Sequence, residues 1–173
     1  FSTGPKDFGR TDTITHDIPL VDETPFRLPY RRISPKDYGE VREHIHDLQE
    51  AGIIRPSKSP FASPIVIVRK KDGKIRMCVD YRKLNSRTVR DAYPIPRIEE
   101  SLDALGKAKY FSSLDLMSGY LQVGMAEADQ AKTAFTTPLG LFEYTRMPFG
   151  LMNAPATFQR LMNTVLGDLN LSE

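Results

Sequence analysis

The sequence predicts an α+β fold, and three of its features support that class. Apolar residues recur at the 3.6-residue period of an amphipathic helix over residues 34–52 and 153–166. Two β-branched runs, 65–68 and 75–81, flank a basic stretch that contains an Asp-Gly dipeptide, the strongest short signal for a β-hairpin. A further run of aromatic and aliphatic residues, 110–116, predicts another strand.

Composition limits the kinds of protein that this chain can be. Its 173 residues, 40% of them hydrophobic, suffice for one domain with a core, or for one domain and part of a second. The single cysteine, Cys78, excludes an internal disulfide and fits an intracellular, reducing compartment. No apolar run approaches the ~18 residues of a membrane span and no signal peptide opens the chain, so we expect no membrane partner.

The first third of the chain is predicted to be an arm followed by a helix and a loop. Glycines and prolines interrupt residues 1–33, which favours an extended arm or linker along the surface. Ser34 and Pro35 suit the first positions of a helix, and Gly52 suits its end. The apolar stripe of this helix consists of Tyr38, Val41, Ile45 and Leu48. Residues 55–64 contain three prolines and predict a stiff loop.

Positive charge is concentrated in and after the first predicted hairpin. Residues 69–90 hold nine Lys or Arg and two Asp, a net charge of +7, whereas the whole chain carries +2. Such a concentration is the electrostatic pattern expected of a phosphate-binding surface. A solvated hairpin with scattered lysines is the alternative. The alternation of Arg76 with Met77 along the second strand favours polyanion binding.

The second half of the chain predicts two helices and several strands. The strands are 110–116, a returning strand over 121–125, and the two strands of a second hairpin, 132–137 and 141–146. A helix over 97–105 has Ile98, Leu102 and Leu105 on one side. The last helix begins at Asn153, and its apolar stripe consists of Phe158, Leu161, Met162, Val165 and Leu166.

Asp115 is the candidate catalytic residue, because it is the one charged side chain in the run 110–116. A carboxylate there is costly unless it is paired, bound to a metal or placed at the open end of the strand. Ser118-Gly119 then breaks the strand, and Tyr120 follows the turn. This order indicates a functional site, and a structural cap for the turn is the alternative.

Four blocks of sequence carry a resemblance to a known family. They are residues 63–73 (SPIVIVRKKDG), 76–85 (RMCVDYRKLN), 111–120 (FSSLDLMSGY) and 146–155 (RMPFGLMNAP). In this order and at these separations they resemble the first half of the reverse transcriptase of gypsy-type LTR retrotransposons and related retroviral enzymes. The resemblance covers residues 34–170.

The resemblance implies a right-hand polymerase fold, with the fingers and part of the palm present. The fingers would comprise residues 34–91 and 123–153, and the palm residues 92–122 and 154–173. Residues 1–33 would be a linker from the polyprotein.

The resemblance also implies how a metal and a nucleotide would be bound. Asp115 matches the first catalytic aspartate, which binds two Mg²⁺ ions (Mn²⁺ is the alternative), and the backbone carbonyl of Leu116 would complete the coordination. Lys71 and Arg76 match the fingers residues that bind the triphosphate of the incoming deoxynucleotide. A lysine point charge and an arginine fork suit that task chemically.

Three further positions match residues that shape the nucleotide site. Tyr120 matches the aromatic residue that packs under the sugar and rejects a 2′-hydroxyl. Phe149 and Gly150 match the turn beside the nucleotide and the template. A glutamine often occupies the position of Phe149 in retroviral enzymes, so this chain departs from them there.

One departure from the family concerns the catalytic carboxylates. The family's other two aspartates form a Tyr-x-Asp-Asp turn, and this chain contains no Asp-Asp pair. By spacing, that turn would follow residue 173, so we expect this polypeptide alone to lack polymerase activity. The intact enzyme would use an RNA or DNA template-primer and deoxynucleoside triphosphates. It would need the remainder of the Pol polyprotein (the rest of the palm, the thumb and RNase H), in the cytoplasm or in a virus-like particle.

Three functional hypotheses follow from these observations. The first is a fragment of an RNA-directed DNA polymerase. The second is a non-catalytic nucleic-acid-binding remnant that uses the basic hairpin, whose binding would depend on salt and not on Asp115. The third is a structural protein that binds only other proteins. The four sequence blocks favour the first.

Overall fold

Two β-sheets form the framework of the structure, a computed structural model that describes residue 4 and residues 8–71, 73–106 and 108–167. The strands are β1 (Thr11–His16), β2 (Ile54–Pro56), β3 (Ser63–Arg69), β4 (Ile75–Val79), β5 (Val123–Met125), β6 (Phe135–Thr137) and β7 (Gly140–Tyr144). The larger sheet has the strand order β2-β7-β6-β3-β4, and the smaller sheet pairs β1 with β5.

Both predicted hairpins are present in the larger sheet. β3 and β4 pair antiparallel, with Val68 opposite Arg76, and β6 pairs antiparallel with β7. Gly73 at the tip of the first hairpin has a φ of 81°, a conformation that glycine adopts without strain, while Asp72 lies outside the described residues. Two details differ from the prediction. The strand β2 lies in a stretch that was expected to be a loop, and the 3₁₀ turn Ala131–Thr133 takes the place of the first residues of the predicted strand 132–137.

The first helix, α1 (Pro35–Glu50), begins after Ser34 and ends just before Gly52, as predicted. Val41, Ile45 and Leu48 are buried and pack in one cluster with residues of the larger sheet. Tyr38 is 38% exposed. The buried stripe of α1 is therefore shorter than predicted and begins at Val41.

Most described residues of the N-terminal arm are exposed, but β1 and Ile18 tie the arm into the fold, which the prediction of an extended arm or linker did not include. β1 pairs in parallel with β5, more than a hundred residues further along the chain. Ile18 is 2% exposed, and its backbone is held on both sides. The amide of Ile18 donates to Asp129 Oδ2 at 2.9 Å, and Lys132 Nζ donates to the carbonyl of Ile18 at 2.9 Å.

The remaining helices differ in how far they are buried. α2 (Arg82–Asn85) and α4 (Glu127–Gln130) are short, whereas α3 (Ile98–Leu105) and α5 (Ala154–Leu166) form where the sequence predicts. Leu161 of α5 is 4% exposed and packs in a cluster with Ile18 and Met147. On α3, by contrast, Ile98, Leu102 and Leu105 are 79%, 62% and 47% exposed. The apolar side of α3 is thus open to solvent.

No helix in the described part of the chain has the length and hydrophobicity that crossing a bilayer would require.

Candidate functional site

Asp115 lies in an irregular segment and not in a strand. Residues 108–116 have no regular secondary structure, so the predicted strand over 110–116 is wrong. Tyr110 and Leu114 are 94% and 82% exposed. Strands are stabilised by pairing with a neighbour, and none of the described strands pairs with this segment. Its β propensity alone therefore does not make it a strand, and Asp115 is exposed.

A tight turn follows Asp115. Ser118 has φ 45° and ψ 51°, a left-handed conformation that is uncommon for a residue other than glycine. Gln122 Nε2 donates to the carbonyl of Met117 at 3.0 Å across the turn. Next to Ser118, a Cβ on Gly119 would lie 2.8 Å from Phe158 Cζ, closer than carbon atoms approach. Glycine is thus required where the turn packs against α5.

Three aromatic rings meet just after this turn. The rings of Tyr120 and Phe149 are stacked, with centroids 4.9 Å apart and planes 28° apart. Phe158 lies against Tyr120 with centroids 5.2 Å apart and an angle of 58°. Both distances are typical of favourable aromatic pairs. Burial raises the pKa of Tyr120, so its phenol is neutral at physiological pH.

Asp115 and the aromatic rings line one concave site, which we call the front pocket. Asp115, Leu116, Tyr120, Phe149 and Phe158 contribute to its wall, and its volume is about 710 Å³. The structure thus brings together the predicted catalytic aspartate, the predicted sugar-packing tyrosine and one residue of the predicted nucleotide turn.

Asn85 forms two hydrogen bonds with the backbone of the turn that carries Phe149. Asn85 Nδ2 donates to the carbonyl of Gly150 at 2.8 Å, and the amide of Met152 donates to Asn85 Oδ1 at 2.9 Å. Gly150 has a φ of 94°, which favours glycine. Before Phe149, the amide of Met147 donates to the carbonyl of Val123 at 2.9 Å. The backbone is therefore fixed on both sides of Phe149.

A second cavity, which we call the rear cavity, lies on the other side of Phe149. It has a volume of about 360 Å³ and is lined by residues of α1, β4, the Ser118–Leu121 turn and the Phe149–Gly150 turn. Arg76 and Lys70 contribute to its wall, whereas Lys71, the predicted triphosphate ligand, lines neither cavity. Lys70 follows Val68 by two residues, and Val68 faces Arg76 across the hairpin. Strand alternation thus explains why Lys70 and Arg76 share one face.

Comparison with known proteins decides which family this arrangement belongs to. The family described as "Reverse transcriptase (RNA-dependent DNA polymerase)" matches residues 68–172, more than half of the chain.

This chain belongs to the reverse transcriptase family.

Its similar relatives are the Pol polyproteins of retrotransposons. The chain is 43% identical over 164 residues to the retrovirus-related Pol polyprotein from transposon 297 of Drosophila melanogaster, an alignment that covers 92% of this chain and 16% of the relative. It is 52% identical over 133 residues to that from transposon opus of the same species, which covers 74% of this chain and 13% of the relative. The chain therefore spans about a sixth or less of the length of these curated relatives.

Solved structures confirm the predicted fold class, that of part of a reverse transcriptase polymerase domain. The crystal structure of a mutant prototype foamy virus protease-reverse transcriptase matches with a TM-score of 0.85 and 28% identity, over 94% of this chain and 22% of that one. The foamy viral protease-reverse transcriptase in complex with double-stranded DNA matches with a TM-score of 0.81 and 27% identity, over 95% and 29% of the two chains.

Ion pairs neutralise part of the basic segment 69–90 of this chain. Arg69 pairs with Asp37 and Glu40 of α1. Arg82 donates to Asp80 at 2.8 Å and 2.7 Å, and these hydrogen bonds hold the pKa of Asp80 below its usual range. The net charge of +7 therefore overstates the local field, because acids from α1 offset one of its arginines.

The oxygen ligands of the front pocket limit how a metal could bind. Among the described residues that line it, Asp115 supplies the sole carboxylate. Proteins often bind Mg²⁺ through one or two carboxylates together with substrate phosphates. Asp115 therefore suits one Mg²⁺ ion whose other charged ligands come from outside this pocket. The described residues do not supply the ligands for two ions, and a group of three ligand-type residues, His46, Asp47 and Glu50, lies on α1 away from this pocket.

Three residues of the site were not predicted: Phe158, Asn85 and Gln122. Phe158 was assigned only to the apolar stripe of α5, and no pattern in the sequence shows that Gly119 packs on its ring. Asn85 and Gln122 act through hydrogen bonds to backbone atoms. Such bonds leave no periodic signal, although Asn85 lies in one of the four blocks.

Proposed function

We propose that this chain provides part of the nucleotide site of an RNA-directed DNA polymerase. In the intact enzyme, the primer 3′-hydroxyl oxygen would attack the α-phosphorus of a deoxynucleoside triphosphate, and pyrophosphate would leave. The observation that carries the proposal is the front pocket, where Asp115 and Tyr120 of one sequence block meet Phe149 of another.

Each wall of the site has groups that suit one part of the nucleotide. Tyr120 offers an aromatic surface for the sugar, and Arg76 with Lys70 or Lys71 offers cations for the triphosphate. Asp115 and the carbonyl of Leu116 would hold a Mg²⁺ ion. When bound, such an ion stabilises the charge that phosphoryl transfer places on the phosphate oxygens.

The proposed macromolecular partner is a template-primer duplex. The support is the exposed basic hairpin, together with the foamy viral relative that was solved in complex with double-stranded DNA. The hairpin also supports the alternative, a non-catalytic module that binds nucleic acid. The two functions differ in whether Asp115 is needed.

Primer extension on an RNA template tests the proposal. The protein is the parent polymerase that contains this chain, compared with its Asp115→Asn variant and with Glu127→Gln as a control, since Glu127 lies in α4 and lines neither cavity. We expect Asp115→Asn to lower the rate at least ~100-fold, because the metal contribution is worth several kcal/mol. Glu127→Gln should leave the rate unchanged.

Equilibrium binding of the template-primer, measured in parallel, separates the two functions. Binding that persists in Asp115→Asn while extension is lost supports the polymerase site. Extension by Asp115→Asn at the rate of the unaltered enzyme would contradict it, and binding without extension in every variant would leave the non-catalytic module.

A further inference from the structure

Phe149 lies where the two cavities adjoin, since Phe149 and Ser118 are the described residues that line both. Phe149 is 50% exposed, so its side chain is not enclosed by the core. Among the described residues, the aromatic contact of the Phe149 ring is the stack on Tyr120. The side chain is therefore less confined than the backbone that carries it.

The backbone around Phe149 cannot easily move. Asn85 holds Gly150 and Met152 through two hydrogen bonds, and Met147 is bonded to Val123. A Cβ at Gly150 would lie 3.6 Å from the ring of Tyr81, so the turn also packs on the core. Any change at Phe149 is therefore a rotation of its side chain and not a movement of the loop.

Part of the Tyr120 ring is covered in this arrangement, although Tyr120 still lines the front pocket. Phe149 is stacked on the Tyr120 ring and Phe158 lies against it, at centroid distances of 4.9 Å and 5.2 Å. The ring of Phe158 packs closely against Gly119, where an added Cβ would come within 2.8 Å of it. Of the two neighbouring rings, Phe149 is the one with space to leave.

The rear cavity provides that space. Its volume is about 360 Å³, and cavities of roughly 150 Å³ already accommodate a benzene ring. Leu48 and Leu121 in its wall are 5% and 8% exposed, whereas Lys70 and Arg76 are exposed. The cavity therefore has an apolar interior for a phenyl ring and cations at its rim.

We propose that Phe149 is a gate of the nucleotide site: its ring covers Tyr120 in the free protein and rotates into the rear cavity when a deoxynucleotide binds. The inference rests on the proposed function, because it requires a nucleotide in the front pocket. Since the covered form must open before binding, the gate lowers the apparent affinity by the fraction of molecules that are open.

A single tryptophan can report the movement, because the chain contains no tryptophan of its own. In the 173-residue Phe149→Trp variant, the indole is expected to lie on Tyr120 and to move into the apolar cavity on addition of dATP with Mg²⁺. The expected result is a blue shift of its emission. Inorganic tripolyphosphate is the control, since it can bind the cations but has no sugar to displace the ring.

A chemical label on the single cysteine, Cys78, can fill the rear cavity. Cys78 lines that cavity and is partly exposed, so a benzyl methanethiosulfonate label would occupy the place to which the ring rotates. The apparent dATP affinity falls by the fraction of molecules in which Phe149 can leave Tyr120. If the label reduces that fraction to about a tenth or less, dATP binding should weaken about tenfold or more. In Phe149→Ala the same label should leave dATP binding unchanged, because no ring needs the cavity.

Equilibrium dialysis with radiolabelled dATP makes the outcomes distinguishable. Weakening by the label that disappears in Phe149→Ala supports the gate. If the label weakens dATP binding equally in the unaltered protein and in Phe149→Ala, the label blocks the nucleotide directly. This result overturns the gate but not the proposed nucleotide site. Binding of dATP to Phe149→Trp without a shift of the indole emission also overturns the gate. Absence of dATP binding in every protein overturns the gate in this chain, whereas the proposed function is judged by primer extension with the parent polymerase.

Discussion

At the scale of single residues, the site depends on contacts that tolerate little change. Gly119 lies against Phe158, and Phe158 in turn supports Tyr120. Packing at this density leaves no room for an added methyl group. The position of Tyr120 is therefore set in part by the glycine one residue earlier.

Gly119→Ala should destabilise the protein and displace Tyr120. The added Cβ would come within 2.8 Å of Phe158 Cζ, and overpacking of this kind costs about 1–3 kcal/mol. Gly39→Ala is the matched control, because its Cβ meets nothing within 4 Å and it lies in α1. That variant should gain roughly 0.5–1 kcal/mol. Urea unfolding measures both, and equal free energies of unfolding would contradict the contact.

His16 should make folding sensitive to mild acid. It is 1% exposed, its Nδ1 lies 2.8 Å from Thr157 Oγ1, and burial lowers its pKa although Asp17, Asp129 and Asp91 oppose the shift. The unfolded chain then binds a proton more readily than the folded chain. Stability therefore falls as the pH drops below ~6.5, at up to about 1.4 kcal/mol per pH unit.

Urea unfolding between about pH 5 and 7.5 tests this effect, because the unfolded imidazole titrates in that range. His16→Gln, which stays neutral, should remove most of the slope. His44→Gln is the comparison: the pKa of His44 is lowered in the same direction, but His44 lies exposed on α1, so this change should remove less of the slope. Hydrogen bonds from Arg160 lower the pKa of Asp91. The stability that Asp91 contributes is therefore lost only below about pH 4, outside the range of this experiment. A slope unchanged in His16→Gln would show that the buried imidazole is not its source.

At the scale of elements, two helices with the same apolar pattern have different surroundings. Leu161 of α5 is 4% exposed, and Leu102 of α3 is 62% exposed. The hydrophobic contribution of a leucine follows the area removed from water. The pattern that predicts both helices therefore does not predict their contributions to stability.

Replacing each of these leucines by alanine measures that difference. Leu161→Ala should cost about 2–5 kcal/mol, because it leaves a cavity in the core. Leu102→Ala should change the free energy of unfolding by less than about 0.5 kcal/mol, as an exposed substitution does. Similar losses in the two variants would mean that α3 is buried in solution.

Short sequence patterns, such as helix-capping residues and hairpin turns, predicted the elements that depend on contacts between residues close together in the chain. Ser34 and Gly52 bound α1 as expected, and Gly73 lies at the tip of the β3-β4 hairpin. The strand predicted at 110–116 failed, because aromatic and aliphatic residues favour a strand only where a neighbour pairs with it. β1 was missed for the complementary reason: its partner, β5, lies far along the chain.

At the scale of the whole molecule, the basic hairpin and the two cavities lie next to one another. Arg76 of β4 lines the rear cavity, and the front pocket with Asp115 lies beyond Phe149. The sequence blocks predicted that Asp115, Tyr120, Arg76 and Phe149 would serve one site. They could not predict that Phe149 would be stacked on Tyr120, because that depends on how two distant turns approach each other.

Nucleic-acid binding should depend on which arginines are already paired. Arg76→Gln is expected to lower the slope of log affinity against log salt concentration by about one for a template-primer, as the loss of one phosphate contact does. Arg69→Gln should change it less, because Arg69 already pairs with Asp37 and Glu40. Fluorescence anisotropy at several KCl concentrations measures the slopes, and equal effects of the two variants would contradict this assignment.

The central claim is that the pocket formed by Asp115, Tyr120 and Phe149 receives the nucleotide, and NMR tests it most directly. The chain has seven tyrosines, and ¹³C labelling of their rings, with Tyr120 assigned by Tyr120→Phe, allows dATP and Mg²⁺ to be titrated against each. We predict a saturable shift of the Tyr120 signal. Tyr93, which packs beneath Arg160 and lines neither cavity, should not shift. A Tyr120 signal that stays unchanged while dATP binds elsewhere would contradict the claim.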